Sequence, residues 1–302
     1  MKLEFVTVDV FTDRQFGGNP LAVVVDGAGL SDAQMQTIAA EFNLSETTFV
    51  LPPQNADHSA QVRIFTPRAE LPFAGHPNVG TAFVLAQRLA QDSSSPEVDH
   101  LMFEEAAGLV RMELLRERGA VVGARLASPM PFEMGDEVPV DIIADACGLS
   151  VDDIETENHP PLIASCGVPF VIAEVKDCEV LATAKPRAHI FERHLPPNRM
   201  TGIHLHARAI LQEVDIQSRM FAPLHGINED PATGSANVAL IGLLAHLQDD
   251  PNEMMERRIG QGYALGRPSI LNAAAEIKDD GTIATYIGGT CVPVMRGTLE
   301  IV

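Results

Sequence analysis

Two short stretches place an ionisable side chain directly before a proline and a turn of small residues. Residues 75–82 read G-H-P-N-V-G-T-A, and residues 229–236 read E-D-P-A-T-G-S-A. An imidazole and a carboxylate are the side chains that most often transfer protons in enzymes. His76 and Asp230 are therefore the first candidates for acid–base chemistry.

Each of these prolines is expected to open an α-helix, because proline is favoured at the first helical position. The preceding residues, His76 and Asp230, are then predicted to be the N-caps. A helix N-terminus favours an anion and disfavours a protonated ring, so Asp230 is expected to be ionised and His76 neutral. The backbone N–H groups there, with Gly75, Gly234 and the hydroxyl of Ser235, are predicted to bind a substrate carboxylate.

A third ionisable candidate is Glu46, in the run N-L-S-E-T-T-F-V-L between a predicted helix and a predicted strand. A glutamate that folds into an apolar cleft has a raised pKa, as an acid or base acting near neutral pH needs. Taken singly, each candidate also fits an ordinary role. Glu46 fits an exposed loop residue, and His76 and Asp230 fit simple helix caps.

Short runs with the composition and period of β-strands dominate the chain. They cover residues 5–11, 21–25, 47–51, 61–65, 110–115, 170–175, 269–271 and 282–287. Helices are fewer. One is expected to follow the capping-box pattern at Ser31 and to run to about Phe42; two follow Pro77 and Pro231, and a weaker acidic helix covers about 140–147.

Two motifs occur twice in the same order. R-x-F-x-P lies at 63–67 and 219–223, and P-x-x-G-[ST]-A lies at 77–82 and 231–236. The copies are about 155 residues apart, which indicates an internal duplication. Each half has one helix that is apolar on most sides and must be enclosed. The predicted fold class is α+β, with two pseudo-symmetric domains, each a curved β-sheet or barrel around a central apolar helix.

The first domain is predicted to cover residues 1–117 and the second 118–289. The last strand, about 290–302, is a candidate to pack back on the first domain. If an approximate twofold axis relates the halves, the two helix N-termini face one cleft, with a carboxylate on one wall and an imidazole on the other. That combination suits proton transfer.

The charge of the chain restricts its partners. With 41 acidic and 21 basic residues, the net charge of -20 disfavours binding to nucleic acid or anionic lipid. The N-terminal residues alternate like a strand and show no signal peptide, and no apolar run approaches about 18 residues. A cytoplasmic location, a small-molecule partner and no membrane contact are expected.

No cofactor or metal is predicted. The four cysteines stand singly, as reduced thiols in the cytosol do, and Cys166 in S-C-G-V-P-F is a poor candidate for a catalytic thiol. The run G-Q-G-Y-A-L-G-R-P-S lacks the glycine spacing of a dinucleotide site. His204 and His206 would share one face of a strand, but the sequence offers no evident third ligand.

Five motifs, spread over nearly the whole chain, resemble those of the PhzF-like family of phenazine-biosynthesis-type isomerases. They are G-N-P-L-A-V-V at 18–24, N-L-S-E-T-T-F-V at 43–50, R-I-F-T-P-x-x-E-L-P-F-A-G-H-P at 63–77, E-D-P-A-T-G-S-A at 229–236 and Q-G-x-x-x-G-R-P-S at 261–269. The resemblance implies the diaminopimelate epimerase-like fold, usually as a homodimer, and a cofactor-free isomerisation similar to that of trans-2,3-dihydro-3-hydroxyanthranilate. It does not identify the substrate of this chain.

By this resemblance, Glu46 is the acid/base that takes a proton from one carbon of the substrate and returns it to another. His76 and Asp230 are polar groups around it. The predicted substrate-binding residues are Gly75, Gly234, Ser235 and Asn19. Related epimerases use two thiols at the helix N-termini, so His76 and Asp230 disfavour two-thiol stereoinversion here. The alternatives are a non-catalytic carboxylate-binding protein and an epimerase of a related small acid.

Overall fold

A computed structural model describes residues 1–91, 97–195, 199–209, 213–250 and 252–301. The chain divides into two compact units: unit 1 comprises Met1–Ala127 with Gly288–Val302, and unit 2 comprises Ser128–Ile287. The first division therefore falls after Ala127, whereas the sequence placed it after residue 117. The strand at 120–127 stays in unit 1 because it forms an antiparallel hairpin with the strand before it.

The elements of unit 1 alternate short strands with two helices. They are β1 Lys2–Val10, β2 Asn19–Val24, α1 Asp32–Phe42, β3 Glu46–Leu51, β4 Ala60–Phe65, β5 Glu70–Leu71, α2 Gly75–Gln91, β6 His100–Glu105, β7 Gly108–Glu117 and β8 Ala120–Ala127. Each strand predicted in this part of the sequence is confirmed. The structure adds β5, β6 and β8.

Unit 2 contains the remaining elements. They are β9 Glu133–Glu137, α3 Val140–Cys147, β10 Ile154–Glu155, β11 Leu162–Ser165, β12 Pro169–Val175, α4 Cys178–Thr183, α5 Ala188–His194, β13 Ile203–Arg208, β14 Ile216–Ala222, β15 Ile227–Asp230, α6 Gly234–His246, β16 Met255–Gln261, β17 Ser269–Ile277 and β18 Ile283–Glu300. From Gly288 onward, β18 belongs to unit 1. No helix in the described part of the chain is long and apolar enough to cross a membrane.

Unit 1 is a closed barrel of eight strands. Successive neighbours are β18, β1, β2, β3, β4, β6, β7 and β8, and β8 pairs with β18 to close the ring. Helix α2 packs against five of these strands, and all its residues from Gly75 to Val84 are buried. The helix approaches the wall closely at Gly80, where a Cβ atom would lie 2.6 Å from Leu21 Cδ2. The predicted central helix of the first barrel is confirmed.

Unit 2 is a curved sheet around α6. Its neighbouring strands are β9, β11, β12, β13, β14, β16 and β17, and α6 packs against β11, β12, β16 and β17. Pairs β12–β13 and β14–β16 are parallel and alternate with antiparallel pairs, and β2, β3, β4, β6 and β7 repeat this succession in unit 1. The predicted α+β class with two similar units is thus confirmed.

Local signals located two helices correctly. Ser31 Oγ accepts a hydrogen bond from the Gln34 N–H, and Gln34 Oε1 accepts one from the Ser31 N–H, which is the predicted capping box. Helix α1 ends at Phe42 as predicted. The acidic helix α3 has the predicted bounds, 140–147.

The predicted starts of the two proline-led helices are wrong. Helix α2 begins at Gly75, so His76 lies in its first turn. Pro77 is tolerated there because the first four N–H groups of a helix have no intrahelical partner. Helix α6 begins only at Gly234 with Thr233 as its N-cap, and Asp230 is the last residue of β15.

Candidate active site

Glu46 and His76 meet inside unit 1. Glu46 is the first residue of β3, and His76 is the second residue of α2, which the barrel encloses. Glu46 Oε2 lies 3.3 Å from His76 Nε2, and the two side chains are 14% and 6% exposed. The barrel therefore brings together two of the three predicted catalytic residues, 30 positions apart in the sequence.

The imidazole of His76 is held in its neutral form. Burial lowers its pKa to about 3, although a hydrogen bond to the backbone of Pro20 acts in the opposite direction. The ring is therefore neutral at pH 7, as predicted. The main cause is the loss of hydration, and not the helix N-terminus from which the sequence argument started.

The hydrogen bond to Pro20 also determines the tautomer of the ring, and so whether the nitrogen near Glu46 is a donor or an acceptor. Proline has no backbone N–H, so its carbonyl accepts and the imidazole donates. A neutral imidazole has only one N–H, so the nitrogen toward Glu46, Nε2, presents a lone pair. The contact therefore places an acceptor nitrogen 3.3 Å from Glu46 Oε2.

Two predicted substrate-binding residues lie near this pair in the fold. Gly75 is the first residue of α2, and Asn19 is a fully buried residue at the start of β2, next to Pro20. The preceding Gly18 has a φ of 63°, and a Cβ atom there would lie 2.3 Å from the carbonyl oxygen of Val10. Only glycine allows the chain to enter β2 in this way.

The third predicted catalytic residue, Asp230, belongs to a buried hydrogen-bond network of unit 2. Its Oδ2 accepts a hydrogen bond of 2.6 Å from the hydroxyl of Thr233. Gln261 Nε2 donates to the Asp230 carbonyl at 2.9 Å, and Gln261 Oε1 accepts from the Thr233 N–H at 3.1 Å. These bonds tie residues 230–233 to Gln261, and α6 starts only after this segment, at Gly234.

The network continues into the core of unit 2. Asn237 of α6 donates to Gln261 Oε1 at 2.9 Å, and Asn237 Oδ1 lies 3.2 Å from His204 Nε2. Burial lowers the pKa of His204 to about 4, so this ring is also neutral at pH 7. Gly234 is buried in the first turn of the same helix and Ser235 is half-buried. Sequence reasoning missed Gln261 as a partner of Asp230, although it opens one of the five motifs.

The acid next to Asp230 has a different role. Glu229 accepts two hydrogen bonds from Arg219, at 2.9 and 2.7 Å, and both side chains are nearly buried. Arg219 also donates to three backbone carbonyls that follow α4 or lie within it. Its guanidinium group stacks on Phe221, 4.9 Å from the ring centroid. Glu229 is thus a structural acid, a distinction that the sequence did not make.

The thiols are held in their protonated form. Burial raises the pKa of Cys147 to about 12 and that of Cys166 to about 11, and it raises the pKa of Cys291 still further. Cys166 Sγ donates to the carbonyl of Val238 at 3.5 Å. Such thiols are poor nucleophiles and poor bases.

Known proteins similar to this chain carry isomerase names. A trans-2,3-dihydro-3-hydroxyanthranilate isomerase of Pseudomonas chlororaphis is 36% identical over 300 residues, which cover 98% of this chain and 99% of that protein. An uncharacterized isomerase of Mesorhizobium japonicum is 36% identical over 301 residues, with 98% of each chain covered. The chain is an enzyme of the isomerase class.

A family model and a solved structure give the assignment within that class. The chain belongs to the PhzC-PhzF family of phenazine biosynthesis-like proteins, whose model matches residues 8–297. The crystal structure of a PhzF-family phenazine biosynthesis protein from Bacillus anthracis covers 100% of both chains, with 27% identity and a TM-score of 0.89. The fold is of the diaminopimelate epimerase-like type, as the sequence motifs implied.

Proposed function

We propose that this isomerase shifts a proton within a small carboxylate-bearing substrate without a cofactor, and that Glu46 carries the proton. The observation that supports this proposal is the buried contact of 3.3 Å between Glu46 and the neutral ring of His76. A carboxyl group beside an acceptor nitrogen can act as both acid and base in a proton transfer.

The neutral state of His76 matters for this chemistry. A protonated imidazole would pair with ionised Glu46 and oppose its protonation. The neutral ring presents an acceptor nitrogen instead, so Glu46 can keep the proton that it removes from one carbon until it returns that proton to another. The first turn of α2 offers backbone N–H groups that stabilise the delocalised anion formed between these steps.

The duplicated unit offers no second glutamate at the equivalent place. The residue after Glu46 pairs with Phe65, and the residue after Gly202 pairs with Phe221. These phenylalanines occupy the same position in the two R-x-F-x-P motifs, so Gly202 is the counterpart of Glu46. One proton carrier suits a shift between two carbons on one face of a substrate better than an inversion, which needs a group on each face.

The substrate that the relatives suggest testing first is trans-2,3-dihydro-3-hydroxyanthranilate, the compound in the name of the Pseudomonas chlororaphis protein. We propose that Asp230 acts in the same reaction as a polar group. The proposed carboxylate-binding residues are Gly75, Gly234, Ser235 and Asn19. From the family resemblance we also propose a homodimer, whose mass light scattering would measure, and from the sequence we propose a cytoplasmic location.

Glu46→Gln tests the proposal, because it keeps the size of the side chain and removes its proton transfer. In deuterated water we expect wild type to convert the substrate and to place deuterium in a fraction of the product, because the proton held on Glu46 exchanges in part with solvent before it is returned. Glu46→Gln should lower turnover and deuterium incorporation by about 10²- to 10⁴-fold, the usual contribution of general acid–base catalysis. Mass spectrometry measures the incorporation.

The matched control is Glu41→Gln, which changes an exposed glutamate of α1 in the same way. It should keep wild-type turnover. Thermal stabilisation by the substrate should persist in Glu46→Gln, because this change removes chemistry and not the carboxylate site. Deuterium incorporation at the wild-type rate in Glu46→Gln would contradict the role of Glu46.

A further inference from the structure

Unit 2 contains a cluster of side chains of the types that bind metals, and none of them is a predicted site residue. Its members, His159, Glu174 and His206, are all buried. Each offers one ligand atom, and these atoms lie within 4.8 Å of one another. Two imidazoles and a carboxylate are a common ligand set for zinc.

Strand register brings two of these side chains together. Glu174 of β12 and His206 of β13 are direct partners in the parallel pairing of these strands, so their side chains lie side by side on one face of the sheet. His159 lies in the segment between β10 and β11, and its side chain approaches the other two. The proposed ligands are therefore held by three different parts of unit 2.

The two rings present their Nε2 atoms to each other. His159 Nε2 lies 3.1 Å from His206 Nε2. Nitrogen ligands of a tetrahedral zinc ion, each at about 2.0–2.1 Å from the metal, lie about 3.3–3.4 Å apart. A shift of a few tenths of an ångström would therefore bring both nitrogens to ligand positions.

Two further polar atoms of the cluster have hydrogen-bond partners of the kind that orient metal ligands. His159 Nδ1 lies 2.8 Å from the carbonyl oxygen of Pro160, to which it can only donate, so in the tautomer with its hydrogen on Nδ1 the lone pair is on Nε2. Asn158 Nδ2 donates to Glu174 Oε2 at 2.8 Å. Such bonds orient first-shell ligands and raise metal affinity.

We infer that His159, Glu174 and His206 bind one divalent transition-metal ion, and that this ion is zinc. Nitrogen and carboxylate ligands together suit zinc better than magnesium or calcium, which prefer oxygen alone. Because the ligands are buried and come from two strands and a loop, the ion stabilises unit 2 by tying the segment around His159 to the sheet.

The sequence predicted no metal site. It grouped His204 with His206 on one strand and found no third ligand. The two rings have different partners in the structure: His204 bonds to Asn237 of α6, whereas His206 lies beside His159 and Glu174. The ligands are separated by 15 and 32 positions, so no local spacing reveals them.

Cobalt(II) is a spectroscopic probe for this site in the whole protein. After treatment with a chelator, wild type should bind one equivalent of Co²⁺ with the visible absorption of a tetrahedral site, and Zn²⁺ should abolish that absorption. Saturating Zn²⁺ should also raise the melting temperature, because an ion that binds only the folded state stabilises it. Neither readout requires turnover, so failure here is distinct from failure of the proposed reaction.

His159→Gln and Glu174→Gln should each weaken Co²⁺ binding by at least about 10-fold, since each removes a ligand. The matched control is His189→Gln, which changes an exposed histidine of α5 and should bind as wild type does. Absence of both the absorption and the thermal shift in wild type would overturn the inference, leaving a hydrogen-bonded cluster without metal. Unchanged Co²⁺ affinity in the folded Glu174→Gln and His159→Gln variants would overturn it as well.

Discussion

Both units have an arginine–glutamate pair whose glutamate precedes the central helix in the chain, but they bury the pair to different degrees. Arg63 bonds to Glu70 through two 2.7 Å contacts and stacks on Phe65, as Arg219 bonds to Glu229 and stacks on Phe221. In unit 1 the two side chains are 21% and 37% exposed, and in unit 2 they are 11% and 9% exposed. The arginine of the repeated motif thus belongs to a partly solvated ion pair in unit 1 and to a nearly buried ion pair in unit 2.

The residues that repeat and those that do not fall into two groups. The arginine and phenylalanine of R-x-F-x-P and the glycine of P-x-x-G-[ST]-A occur in both units and position strands and helix. The ionisable residues of the proposed site differ: Glu46 corresponds to Gly202, and His76 corresponds to Asp230. The duplication therefore repeats the framework, and the proposed chemistry depends on the positions where the copies diverge.

The largest expected effect tests the difference in burial of the arginine pairs. Arg219→Met should lower the free energy of unfolding by about 3–5 kcal/mol, because it leaves Glu229 buried without its charged partner. Arg63→Met should cost only about 1 kcal/mol, because water can solvate Glu70 and Asp32. Urea denaturation measures both values. Equal losses in the two variants would show that burial does not separate the pairs.

The pH dependence of stability tests the buried histidines of the two units. His76 has a folded pKa of about 3 against about 6.5 in the unfolded chain, so the unfolded state binds more protons between these values. Stability due to the neutral ring is present above pH 6.5 and is lost as the pH falls, by about 1.4 kcal/mol per pH unit.

His76→Gln should therefore remove that slope in denaturation curves recorded from pH 6.5 to 4. His204→Gln should remove a similar slope from unit 2, down to a pH of about 4. A slope that is unchanged in His76→Gln would mean that folding does not lower the pKa of this ring.

The smallest expected effect comes from making unit 2 more like unit 1. Thr233 and Val79 each follow their motif proline by two positions. Thr233→Val should cost about 1 kcal/mol, because Asp230 loses the 2.6 Å hydrogen bond of the hydroxyl. Calorimetry measures the shift, with Thr37→Val on the exposed face of α1 as a control. A loss no greater than that of the control would show that Thr233 does not hold Asp230.

The parts of the fold that the sequence predicted are those with a local signal. Alternating apolar residues located eight strands, and Ser31 with Gln34 located the start of α1. The late start of α6 had no such signal, because residues 230–233 are bonded to Gln261, whose side-chain amide donates to the carbonyl of Asp230, 31 positions earlier in the chain. The bounds of unit 1 likewise depend on a hairpin that local composition did not reveal.

The site divides in the same way. Residue types and the duplication identified His76 and Asp230, whereas Glu46 was a weaker candidate until the family resemblance gave it a role. Neither approach predicted that Glu229 pairs with Arg219, since both acids before Pro231 look alike in sequence. The cluster around His206 was hidden because its members meet through strand register and not through spacing along the chain.

The closure of the unit 1 barrel by β18 has a consequence for the order of events during synthesis. As the ribosome delivers the chain, the strands up to Ala127 emerge first but lack the partner that joins β1 to β8. Unit 2 is contiguous and complete by Ile287. The later part of the nascent chain can thus fold first, while the earlier part waits as an open sheet with two unpaired edges, a state that is prone to aggregation.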